Sequence, residues 1–131
     1  MTSREIAFVT GALICILSAP AVPQISTDWV DIKDPNELRA LHSNKTFTGT
    51  GGDGSPFVAH YRSDGKALLI HRGERTPRTW EVKGNDEVCY TDKKFPGCRK
   101  FQRNKDNRDY INAVWGSGSA TFNVKDGVPK F

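Results

Sequence analysis

The sequence predicts a mainly β fold: a small antiparallel β-barrel or meander of about eight short strands with one short N-terminal helix. Three observations carry this. From Asn44 onward the chain is a series of short alternating apolar and polar runs, punctuated by Gly, Asp, Asn, Pro and Ser clusters. Only one segment, Asp34 to His42, has helix signals, so the crossover helices that a parallel sheet requires are missing. A short meander also has exposed edges, and closure into a barrel removes them.

Taken in order, residues 1–21 read as a signal peptide. Met1 to Glu5 is polar and carries Arg4, Ile6 to Leu17 is almost wholly apolar, and Ala19-Pro20-Ala21 supplies the small residues of a cleavage site after Ala21. That apolar run is short of the ~20 residues a spanning helix needs, so no stable membrane span is expected after cleavage. Cys15 has no small residue beside it in Ala12-Leu13-Ile14, which argues against lipidation. A periplasmic or secreted protein follows.

Residues 22–33 form an extended lead-in, with Trp29, Val30 and Ile32 available to cap the single domain expected over 34–131. Asp34 suits a helix N-cap, Pro35 the first helical position, and Glu37 stands three residues after the cap as in a capping box. Leu38 and Leu41 share a face. Strands are then expected over Lys45 to Thr50, Pro56 to Tyr61, Lys66 to His71, Arg78 to Val82, Glu87 to Tyr90, Cys98 to Arg103, Tyr110 to Trp115 and Ala120 to Val124. Asp64-Gly65 and Lys83-Gly84-Asn85-Asp86 supply hairpin turns. Arg72, Arg75 and Arg78 read as a mobile surface loop.

Export gives the cysteines their meaning. Cys15 leaves with the signal peptide, and Cys89 and Cys98 remain as an even pair in an oxidising compartment. A redox or metal pair would need a tight Cys-x-x-Cys or further ligands at short spacing, so a structural disulfide is expected. Closing so small a loop contributes roughly 2–3 kcal/mol.

No motif points to catalysis. Gly49-Thr50-Gly51-Gly52-Asp53-Gly54 matches G-x-G-x-x-G, but a strand rather than a helix follows, so the glycines are expected to serve a loop through positive φ angles, with no cofactor. The serines lack a G-x-S-x-G or S-x-x-K context, and no carboxylate pair stands in an apolar setting. Counting outward from Asp64-Gly65 places residue 60 near residue 69, with His71 diagonal to His60 or one step beyond. Isolated histidines on strand surfaces are far commoner than two-imidazole metal sites, and no metal is expected.

Charge is more informative. Of 19 Lys and Arg and 15 Asp and Glu, the leader removes one each (Arg4 and Glu5), so the mature net charge stays at +4. An exported basic protein meets anionic envelope components rather than nucleic acid. Lys93, Lys94, Arg99, Lys100 and Arg103, interleaved with Phe95 and Phe101, are the candidate anion-binding residues, with Lys105 and Arg108 extending the run.

The order of features resembles the domain-of-unknown-function 995 family of small exported alphaproteobacterial proteins. Glu37-Leu38-Arg39-Ala40-Leu41 leads into Thr46-Phe47-Thr48-Gly49, followed by the Asp64-Gly65 hairpin, Thr79-Trp80-Glu81-Val82, the Gly84 to Asp86 turn and Val88-Cys89-Tyr90 with Cys98. The resemblance spans about residues 34–125, departs at the basic insertion Asn104 to Arg108, and implies an exported domain with no catalytic residue to carry over. The expected function is therefore a non-enzymatic exported binding barrel that takes an anionic ligand on a basic face. The alternative is a protein-protein module such as an inhibitor of a cell-wall-degrading hydrolase. A hollow, apolar interior would instead favour a lipocalin-like carrier.

Overall fold

The computed structural model of the chain describes residues 27–131; the expected signal peptide and the start of the lead-in lie outside the described residues. Its elements are β1 (Trp29–Asp31), α1 (Pro35–His42), β2 (Lys45–Thr50), β3 (Pro56–Tyr61), β4 (Lys66–His71), β5 (Glu74–Lys83), β6 (Glu87–Thr91), β7 (Gly97–Asn104), β8 (Tyr110–Trp115) and β9 (Gly118–Asp126). From β2 to β9 each strand pairs antiparallel with the next, and β2 pairs with β9 from Lys45↔Asp126 to Thr50↔Thr121. Those pairings close an eight-stranded barrel, as the alternating runs predict. The lead-in adds β1, which pairs with β7 between Trp29↔Asn104 and Asp31↔Gln102.

Helix α1 forms where its signals stand. The Asp34 carboxylate accepts from the Asn36 backbone N–H, and the Asp34 carbonyl accepts from Leu38 N–H. Its apolar face, Leu38, Leu41 and His42, is buried in one mouth of the barrel. Asn44, at φ 57°, then turns the chain into β2, in a left-handed conformation that Asn tolerates.

Strand direction fixes which loops lie at which end. The turns at 62–65, 84–86 and 105–109 share the helix end, while 51–55, 72–73, 92–96 and 116–117 surround the other.

Three local expectations are corrected. Arg75 and Arg78 belong to β5, which starts at Glu74, and Arg78 is buried rather than in a mobile loop. Pro77 is tolerated there because Trp80 N–H points to Gly65 on the β4 side. By alternation, the Pro77 nitrogen faces the other side, where β6 pairs only from Thr79 onward. The β3–β4 hairpin is one residue tighter than counted: His60 opposes Leu68 and His71 opposes Phe57, so the two imidazoles do not meet. Gly49 lies within β2, not in a loop, and of the following glycines only Gly54 has positive φ. A Cβ at Gly49 would stand 2.1 Å from the Thr121 carbonyl oxygen, so glycine there lets β9 approach and the barrel close.

The Cys89–Cys98 disulfide joins directly opposed residues of β6 and β7 on the outer wall. Among the described residues no helix is long and apolar enough to cross a membrane.

Candidate binding cup

Inward side chains divide the barrel into two halves. At the helix end, the His42 ring is fully buried among Phe47, Tyr61, Trp80, Tyr90 and Phe101, with centroids 4.9–5.9 Å away. Burial first, and then the Arg78 charge, lower its pKa to about 3 against the opposing effect of the hydrogen bond it donates to the Leu38 carbonyl, so the ring is neutral. Nδ1 therefore donates to Leu38 O (2.9 Å), and Nε2 accepts from the Tyr90 hydroxyl (2.6 Å).

Above this aromatic floor the barrel is hollow. A cavity of about 680 Å³ opens between the loops of the far end. That volume falls within the range of small-molecule sites, about 300–1,000 Å³. Its walls combine Phe57, Leu69, Trp115 and Phe122 with the small residues Ala113 and Ala120, whose lack of bulk leaves the space, and with Gly118, against which the Trp115 ring lies.

Two cations stand on one wall. Arg78 points inward because it shares parity with Trp80 on β5, and Arg99 shares parity with Phe101 on β7. Arg78 donates from Nε to Asp92 (2.6 Å), from Nη1 to the Tyr61 hydroxyl (3.2 Å) and from Nη2 to the Phe95 carbonyl (3.1 Å). Burial opposes its charge, but the Tyr61 and Tyr90 oxygens and the Asp92 carboxylate outweigh burial and raise its pKa. Burial also opposes ionisation of Asp92. The Phe95 N–H and Arg78 overcome that effect, leaving Asp92 below the usual carboxylate range.

Arg99 is different. Its guanidinium lies over Trp115 (4.5 Å) and Tyr90 (5.7 Å) and donates from Nη2 to Phe95 O (3.1 Å). No carboxylate forms an ion pair with it among the described residues. Burial and the neighbouring Arg78 charge lower its pKa.

At the rim, Asp53 accepts from the Ser55 hydroxyl (2.6 Å) and backbone N–H (3.0 Å) and from Arg72 (2.7 Å). These bonds, Ser55 first, bring its pKa to about 2. Ser55 Oγ also meets His71 Nε2 at 2.6 Å. A Ser-His-Asp relay needs the carboxylate on the other ring nitrogen, whereas Asp53 approaches the same Nε2 at 3.8 Å. The cluster is built to fix the rim, where Lys94 and Glu74 also pair.

The sequence candidates are thus dispersed. Lys93 and Lys94 lie in the 92–96 rim loop, and Arg99 is in the cup. Lys100 points outward to Asp86 (3.6 Å). Arg103 sits toward the helix, 4.0 Å from Glu37, and donates to the Arg108 carbonyl. Strand alternation separates Arg99 from Lys100, so the five residues do not share one face. Sequence reasoning missed Arg78, Trp115 and the Asp53-Ser55-His71 cluster as site residues. The signal for Arg78 was its two-residue spacing from Trp80. Among the described residues no group of three or more His, Cys, Asp or Glu is placed to hold a metal.

Fold and site together define an up-and-down β-barrel plugged at one end and cupped at the other. Compared with protein-family models, curated proteins and solved structures, the chain matches none significantly.

Proposed function

We propose that this protein is an exported, non-enzymatic binding barrel of the bacterial envelope that holds a small, largely apolar ligand in its cup. The cavity above the His42 floor carries the reading: a packed barrel has no such space, and aromatic walls offer apolar and stacking contacts. Its position inside the barrel favours this over an outer basic face, because Lys100 is paired with Asp86 and Arg103 lies by the helix.

The test uses the neutral fluorophore N-phenyl-1-naphthylamine. Saturable one-to-one binding is expected, abolished by Ala120→Trp, which fills the cup, and unchanged by Lys93→Glu, Lys94→Glu and Lys100→Glu together. Binding that survives the filled cup, or weakens steeply with salt, returns the site to the outer surface.

A further inference from the structure

We infer that the cup selects a ligand with a single negative charge, a carboxylate in particular, and that Arg99 receives it. The inference rests on the reading that the cup holds a small ligand, and three observations carry it further.

First, the two arginines beside the cavity are used unequally. Every nitrogen of Arg78 already meets Asp92, Tyr61 or Phe95. Arg99 meets only the Phe95 carbonyl, through Nη2. Its Nε and Nη1 meet no acceptor, yet neither is sealed from solvent; the one sealed and unpartnered side-chain nitrogen among the described residues is Arg103 Nε. Arg99 therefore presents free donors to the open cup.

Second, the charge count favours a monoanion. Asp92 neutralises Arg78, leaving one uncompensated positive charge at Arg99. On the rim Arg72 pairs with Asp53 and Lys94 with Glu74, while the exposed Lys93 has no carboxylate partner among the described residues and stands outside the cup lining. A dianion would place surplus negative charge near Asp92. A neutral or cationic head would leave Arg99 desolvated and unpaired.

Third, the fork is held in place. Trp115 and Tyr90 present ring faces to the guanidinium, and Phe95 O fixes one of its nitrogens. A planar guanidinium with remaining donors fits a carboxylate through parallel hydrogen bonds, where an ammonium would act as a point charge. The apolar Phe57, Phe122 and Ala113 lining leaves the rest of the cup for a hydrocarbon or aromatic body.

The experiment displaces bound N-phenyl-1-naphthylamine from the full mature chain with dodecanoate, dodecanol, dodecylammonium and dodecyl phosphate, all below micelle-forming concentrations. Dodecanoate is expected to displace the probe about ten- to a hundredfold better than dodecanol. Arg99→Met should remove the advantage of dodecanoate over dodecanol, and Arg99→Lys should restore part of it. Equal displacement by dodecanoate and dodecanol overturns the carboxylate inference but leaves the cup reading standing. A preference for dianionic dodecyl phosphate overturns the charge count. Failure of the probe and all four amphiphiles to bind overturns the cup itself. The wild-type comparison decides the head group even if an Arg99 variant does not fold.

Discussion

At its helix end the barrel is filled by six rings and two leucines of α1; at the other end the same alternating strands enclose open space. The difference lies in the size of inward residues and in how their polar atoms are satisfied. Within the ring cluster of the plugged end each polar side-chain group has a protein partner. Arg78 donates to Tyr61, the Tyr61 and Tyr90 hydroxyls interact, Tyr90 donates to His42, and His42 donates to Leu38. At the open end Arg99 keeps free donors and the wall residues are small. Stability is thereby concentrated where rings and hydrogen bonds saturate each other, and recognition where they do not.

The largest test of this contrast is acid. The folded His42 takes up a proton only near pH 3, whereas the unfolded side chain does so near 6.5. Its contribution is fully present above pH 6.5 and is lost as pH falls toward 3, by at most about 5 kcal/mol. Between pH 6.5 and 5, above the carboxylate range, His60, whose pKa is also lowered by burial and Arg75, gives the same sign. Urea unfolding of His42→Phe across that window should show a shallower pH slope by up to one proton. An unchanged slope would mean that the ring is not buried neutral.

Truncation comes next. Leu38→Ala should lower the unfolding free energy by about 2–5 kcal/mol, since a fully buried side chain leaves a cavity beneath the plug. Removing the outer-wall staple with Cys89→Ser and Cys98→Ser should cost roughly 2–3 kcal/mol in denaturant. Probe affinity measured well below the melting temperature should stay unaltered, because the disulfide faces away from the cup. Gly49→Ala drives a methyl into β9 and should cost about 1–3 kcal/mol. If it proves neutral, the β2–β9 seam is looser than its register indicates.

The smallest stability effect should come from the open end. Trp115→Ala removes a half-buried wall residue and should cost under about 1.5 kcal/mol, yet weaken N-phenyl-1-naphthylamine binding several-fold. Equal stability losses for Leu38→Ala and Trp115→Ala, read from the same urea curves, would erase the distinction between the two halves.

Much of the scaffold was legible beforehand. Asp34 and Pro35 announced α1, alternation placed every barrel strand, and Asp64-Gly65 marked a hairpin, because these signals act within a few residues of chain. The β1 pairing was not legible: a three-residue strand has almost no period to read. Arg78 was hidden by Pro77 and by its arginine neighbours, whose composition resembles a loop even where the register continues.

What the sequence alone determined is thus local: an eight-strand alternation, one capped helix, and a cysteine pair placed to close a short loop. Alternation also decides which residues share a face, so Arg99 had to side with Phe101 and against Lys100. Only the closed barrel decided that this face is the interior, that His42 completes a ring cluster from five strands, and that Ala113 and Ala120 stand opposite each other above it and leave a cup. The reason is geometric. Parity is a property of one strand, whereas the free volume at a given level of a barrel depends on residues that eight strands bring together from distant parts of the chain.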